Sequence, residues 1–163
     1  MPTKENSVKA DAAAPRGLAA LARILDAAPA RLRAIPSERA GAKPAPGKWS
    51  PREELGHLVD SASNNHHRLV RGQLEDRISM PGYDGDAWVK LHGYQAREWS
   101  SIIDLWLAFN RQLLSAASGA PAASWSRTCS IGGREPVTLA FVLDDYVDHM
   151  VHHLRHIGID PGA

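Results

Sequence analysis

The stretch that most constrains this chain is Val137 to Ile157, VTLAFVLDDYVDHMVHHLRHI. Leu139, Val142, Leu143, Tyr146, Met150, Leu154 and Ile157 recur at the three- and four-residue steps of one helical face. A helix with that stripe must bury it against other elements. Four of the chain's eight histidines, His149, His152, His153 and His156, fall in its last turns. A solvated helix end has no need of that density. Two imidazoles four residues apart project from one face and can grip a single metal ion. At about 100° per residue, His153 lies roughly 40° from the middle of the apolar stripe and His149 roughly 80°, on the same side. His152 and His156 make a second such pair, turned further toward water. The inward pair, His149 and His153, is the candidate, and it needs a third ligand from elsewhere. The plain alternative is a set of ordinary interior or surface histidines.

The rest of the chain supplies the partners for that stripe. Residues Met1 to Pro15 are polar and Ala-rich and read as a loose tail ahead of one domain over 16–160. Leu18, Leu21, Ile24, Leu25, Ala28 and Leu32 share a face of a helix over 16–33, with Pro29 expected to kink or divide it. Residues 36–48 hold three prolines and two glycines and read as a connection. A second helix over 50–74 opens on Ser50 as N-cap, Pro51 and Glu53, which together spell a capping box. Its apolar stripe runs from Leu55 to Val70, and its other side carries His57, Asp60, Ser61, Asn64 and Arg68. Those residues are polar but mostly short, unlike the Lys and Glu of a solvated face. A third helix over 86–117, open to a break near Gly93, carries Trp99, Ile102, Ile103, Trp106, Leu113 and Leu114. The fourth, over 137–158, is the histidine helix. No strand alternation stands out, although Trp125 to Ile131 could be briefly extended before a Gly132-Gly133 turn. Four amphipathic helices with two long connections predict an all-α four-helix bundle.

Composition narrows the function. With 163 residues there is room for one core. A net charge of +1, from 19 basic and 18 acidic side chains, gives no reason to expect nucleic acid or an acidic membrane as partner. The single cysteine, Cys129, excludes an internal disulfide framework and has no nearby sequence signal for activation. No apolar run is long enough to span a membrane and the N-terminus lacks a secretory pattern, so a cytoplasmic protein is expected. There is no Gly-rich phosphate loop and no nucleophile elbow.

For the third ligand, His57 stands beside Gly56 one turn after the cap, with Ser61 and Asn64 continuing its face. The helical wheel sets it away from the Leu55–Leu69 stripe. It reaches the interior only if that polar side lines a cleft, and His92 stays in reserve. The segment KWSPREELGHLVDSASNNHHRLVRGQL, followed by PGYDGDAWV and closing with LDDYVDHMVHHLRHI, resembles the DinB-like/YfiT-like superfamily from about Lys48 to Ile157. The marks are W-S, then G-H-L, then a late H-x-x-x-H. The resemblance implies a four-helix bundle with up-down-down-up connectivity. It also implies three histidines holding a divalent metal at one end: His57, His149 and His153. The doubled His152-His153 leaves the last assignment to the inward angle. Superfamily members include metal-dependent thiol S-transferases, a thiol-dependent isomerase and proteins assigned as hydrolases, and often pair as dimers.

Three neutral imidazoles leave coordination positions open, the pattern of a catalytic metal site. Zinc is the first expectation, with nickel, manganese or iron as alternatives. Such an ion can lower the pKa of bound water to about 7 or hold a low-molecular-weight thiol as thiolate. The first use gives hydrolysis of a small-molecule substrate and the second thiol transfer. A bundle that binds metal without turnover is the competing class. Asp145, one turn before His149, and Asp60, nearly one turn after His57, are candidate partners for the imidazole N–H groups. Asn64 and Arg68 could hold an anionic group of the substrate, and Tyr83, Trp88 and Tyr94 could wall the cleft. Apolar residues spread around the third helix (Trp99, Leu105, Trp106, Leu107) suggest a homodimer.

Overall fold

The computed structural model describes residues 13–161. The tail expected over 1–15 lies outside them except at its end, where Pro15 precedes α1, Arg16–Arg33. Pro29 sits within α1 without dividing it. The 36–48 connection contains one short helix, α2, Ser37–Gly41, whose Ala40 is buried. Next comes α3, Pro51–Gly72, with the capping box in place: Ser50 Oγ accepts from the Glu53 backbone N–H at 3.3 Å, and Glu53 accepts from that of Ser50 at 2.9 Å.

The long third helix is two helices. α4, Gly85–His92, ends at Gly93, whose φ of 61° lies in the left-handed region that a residue with a side chain rarely adopts. A short 3₁₀ turn, Tyr94–Ala96, then leads to α5, Trp99–Ser118. α6, Leu139–Ile157, closes the described chain, with Thr138 as its N-cap.

Cross-contacts give the helix directions. The Trp99 indole at the start of α5 donates to Leu32 O at the end of α1 (2.9 Å), so those two run antiparallel. Gln73, just past α3, donates to Ala116 O near the end of α5 (3.2 Å), so α3 and α5 run parallel. The Gly17 N–H near the start of α1 donates to Asp144 early in α6 (2.7 Å), and Arg31 late in α1 donates to Asp160 O beyond α6 (2.7 Å). Those two are parallel. The order is up-down-down-up, with the start of α3 beside the end of α6.

The extended piece expected within Trp125–Ile131 is β2, and it belongs to a small sheet, in the order β1-β2-β3, whose other two strands were not expected. β1 is Arg77–Met80, β2 is Thr128–Ile131 and β3 is Val137–Thr138. β1 and β2 are parallel, with Arg77 opposite Thr128 and Met80 opposite Ile131, while β2 and β3 are antiparallel around the Gly132-Gly133 turn. The sheet packs against both α3 and α6 and delivers the chain to Tyr83.

The core is one continuous cluster that includes Leu21, Leu32, Leu58, Ile103, Leu143 and Leu154. Trp99 and Trp106 belong to it, and Leu105 and Leu107 pack half-buried on it. The apolar breadth of α5 is therefore core surface and supplies no argument for a dimer.

Candidate metal centre

α3 is buried on all sides over nine consecutive residues, Glu54 to Ala62. This removes the wheel's difficulty with His57. The polar side of α3 faces α6, where His57 Nε2 lies 3.0 Å from His149 Nε2. His153 Nε2 lies 3.0 Å from the same atom. Three ring nitrogens from two antiparallel helices thus point at one space at one end of the bundle.

The outer nitrogen of one ring fixes its tautomer. His153 Nδ1 lies 2.5 Å from Glu54 Oε2, a buried carboxylate that can only accept when ionised. Nδ1 therefore carries the proton and Nε2 turns a lone pair inward. His149 Nδ1 lies 3.4 Å from Ser61 Oγ. His57 Nδ1 is buried without a partner, beside Gly85, where an added Cβ would lie 3.0 Å from the imidazole Cε1. Trp49 covers the outer side, 4.9 Å between ring centroids from His57 and 6.1 Å from His153.

Burial, and after it the neighbouring His153 and His149, drives the His57 pKa from 6.5 down to about 3. Burial, then His153 and His152, brings His149 down to about 4, against a raising pull from Glu54. Both rings are neutral at neutral pH, the state in which imidazole binds a metal. In metal-free protein one proton on His149 Nε2 can be shared with the Nε2 atoms of His57 and His153 at 3.0 Å, and a cation in its place would be held by all three lone pairs. Tetrahedral zinc, with Zn–N of about 2.0–2.1 Å, separates its ligand nitrogens by about 3.3 Å. The residues therefore fit a divalent ion after opening by a few tenths of an ångström.

The remaining candidates fall as follows. His152 is exposed, and His156 is half-exposed with Nδ1 3.2 Å from Glu54 Oε1. Glu54, His153 and His156 form a second potential ligand group that shares His153 with the first. His92, the reserve ligand, lies outside both groups and bonds Asp60 at 2.8 Å.

Asp60 does not serve His57. Its Oδ1 accepts from the Tyr94 hydroxyl at 2.7 Å and meets His92, and its Oδ2 is buried and unpartnered. Asp145 is exposed, and among the described residues no hydrogen bond joins it to His149. Asn64 donates to Asp60 O on its own helix (2.9 Å), and the residue facing α6 is Asn65. Arg68 is buried on that same side.

Tyr83 lies 6.3 Å from His57 and Trp88 packs on Tyr83, whereas Tyr94 lies under Gly56. Cys129 is buried on β2, and burial pushes its thiol pKa up, away from nucleophilic use. Glu54 and Asn65 are the neighbours that the sequence did not single out, and Trp49 entered there only as the first residue of the W-S mark. The signal for Glu54 was its place three residues before His57, one helical turn away on the same face.

Two cavities flank the imidazoles. A larger one of about 770 Å³ borders His153 and Glu54, with Arg39, Lys43 and Lys48 on its wall. A smaller one of about 190 Å³ borders His149.

The chain resembles the solved structure of YfiT from Bacillus subtilis, described as a probable metal-dependent hydrolase with an unusual four-helix bundle topology. The TM-score is 0.74 at 21% identity, covering 97% of this chain and 89% of that one, and the likeness shows a shared fold. No functionally curated protein sequence matches. The DinB superfamily profile matches residues 20–157, a span holding most of the bundle and all three facing imidazoles, and the chain is a member of the DinB superfamily.

Proposed function

We propose that His57, His149 and His153 hold one divalent metal ion through Nε2, zinc first, and that the protein is a metal-dependent enzyme of small molecules. The convergence of three Nε2 atoms, two of them 3.0 Å from the third, carries this reading. A bound ion would supply Lewis acidity with at least one position left for substrate. Glu54 holds the His153 proton on Nδ1 and orients the ring. Trp49 and Gly85 close the outer side around His57, and the flanking cavities give access.

Hydrolysis is the first form of the reading, supported by the description of YfiT as a probable metal-dependent hydrolase. Transfer of a low-molecular-weight thiol is the second, favoured by the larger cavity, where Arg39, Lys43 and Lys48 would suit an anionic thiol. A bundle that binds metal without turnover is the reading from another class. A cytoplasmic location and self-association as a dimer, the latter resting on the pairing that the superfamily resemblance implies and not on the surface of α5, complete the proposal.

Metal analysis of the purified protein and a histidine series test it. The expected result is one equivalent of metal in the parent. Loss should be at least about tenfold in affinity for His57→Ala, His149→Ala or His153→Ala, with little change for His152→Ala. If His57→Ala keeps its metal while His152→Ala loses it, the site is a surface cluster on α6 and the reading is wrong. Binding of azide or a thiol to a cobalt-loaded sample, with a screen for turnover of esters, amides and thiol acceptors, separates enzyme from metal store.

A further inference from the structure

Arg68 is a buried charge with no carboxylate in direct contact; the Asp145 carboxylate acts on it from the wall of the same cavity. Its side chain lies within α3 with 7% of its surface exposed, and among the described residues it enters no ion pair. The other arginines set toward the interior are provided for: Arg127 pairs with Asp76, and Arg52 donates to the carbonyls of Gln95 and Ser37. Arg68 Nη1 donates to the neutral Asn65 Oδ1 at 3.2 Å. Burial pulls its pKa below the ordinary guanidinium value, against a weaker raising pull that includes Asp145. A buried unpaired charge is costly to the fold, and an apolar residue of similar volume would be easier to accommodate.

The neighbours of Arg68 are arranged to aim it. Asn65 Nδ2 donates to Ser61 O at 2.9 Å, which turns Asn65 Oδ1 toward the guanidinium. Ser61, Asn65 and Arg68 stand on successive turns of α3, on the side that begins with His57. They line the 190 Å³ cavity together with Tyr83 and His149. Guanidinium and metal-site imidazole therefore open onto the same space.

We infer that this cavity is the carboxylate end of the substrate site: the substrate is a small carboxylic acid, held by Arg68 and reacting at the three imidazoles. The inference rests on the metal reading for the position of the reacting group. A guanidinium fork matches the two oxygens of a carboxylate. One cation suits a monoanion. A phosphate dianion would want a second cation, and the other charged side chain lining the cavity is the carboxylate of Asp145, which repels a second negative charge. The volume is below the roughly 300–1,000 Å³ of a drug-sized site, so it takes a short acid or one end of a larger molecule.

The test uses protein loaded with cobalt(II) and three probes: 3-mercaptopropionate, its neutral isostere 3-mercaptopropionamide, and 2-mercaptoethanol. Each thiolate reports its binding through the cobalt–sulfur absorption. The acid is expected to bind the parent about tenfold or more tightly than the amide, as suits a charge-assisted hydrogen bond. In Arg68→Met that advantage should disappear while cobalt affinity and thermal stability are kept or rise, because the substitution removes an unpaired buried charge. Arg68→Lys should retain part of it.

Equal binding of acid and amide to the parent overturns the inference. So does an advantage that survives in Arg68→Met, because the acid would then be chelating the metal through its own oxygen. If Arg68→Met does not fold, the parent and Arg68→Lys measurements decide alone. If no cobalt binds, the metal reading has failed instead. Acid and amide are then compared on the metal-free protein by ligand-observed nuclear magnetic resonance, where equal binding overturns the carboxylate inference separately.

Discussion

Replacing Glu54 by Gln tests how the metal site is tuned without touching the three imidazoles. Glu54 is buried, with one oxygen 2.5 Å from His153 Nδ1 and the other 3.2 Å from His156 Nδ1. Gln keeps the shape and one acceptor but removes the charge, and its amide directs a donor at one of the two rings. The lost carboxylate makes His153 a weaker base and loosens its orientation. Partners of this kind are worth about 10–100-fold in metal affinity, or about 1.4–2.8 kcal/mol. That matches the about 1.5–3 kcal/mol of a hydrogen bond to a charged group. His156→Ala removes the exposed half of the same arrangement and should cost less than about fivefold, the range of an exposed pair. The assay is competition for zinc against a chromophoric chelator of known affinity, with folding checked by circular dichroism. Parent-like affinity in folded Glu54→Gln would refute the tuning argument. Complete loss of metal, as severe as that of His153→Ala, would refute it from the other side, because Glu54 would then be a ligand in the group with His153 and His156.

Three further outcomes are expected. Gly56→Ala should destabilise the protein by about 1–3 kcal/mol in urea denaturation, because its Cβ would fall 2.2 Å from the ring carbons of buried Tyr94; an unchanged midpoint would show that Tyr94 is free to move aside. In metal-free protein, His57 and His149 stay neutral down to about 3 and about 4, whereas the unfolded chain takes up those protons near 6.5. The unfolded state then binds more protons, so stability should fall by the order of a few kcal/mol as the pH drops from about 6.5 toward about 4. These two groups add no pH dependence above about 6.5, and urea melts between about pH 4 and about pH 6.5 that show no slope would contradict the burial of the rings. Sedimentation at tens of micromolar, an arbitrary working range, should show a dimer, and monomer alone would count against self-association.

The bundle was legible because its signals are periodic and local. The α6 stripe, the Ser50-Pro51-Glu53 cap and the inward turn of His149 and His153 are all set within one helix. Of the sheet only the extended piece at β2 and the turn after it were, because β1 is four residues long and its partner β2 lies far along the chain. Two positions show where a helical wheel runs out. It gives angles within α3 but not the side on which α6 lies, so Asn64 was favoured where Asn65 faces the cleft. Proximity in sequence suggested Asp60 for His57, yet Tyr94 and His92 claim that carboxylate from beyond the next loop. Glu54 was hidden by a second role, since an acidic residue in a helix's first turn is already accounted for by the helix dipole.

The helix order has a consequence for the order of events during synthesis. His57 and His149 are 92 positions apart, and both late histidines lie in the last helix. A chain emerging from the ribosome carries a single member of the triad through the formation of α1, α3, α4 and α5. Only when α6 is released and docks antiparallel to α3 do all three nitrogens meet. Such a distant pairing is slow to form and sits at the end of the folding route. A metal ion captured there would close a loop between the second bundle helix and α6, and so would hold the folded bundle while offering nothing to a partly folded one.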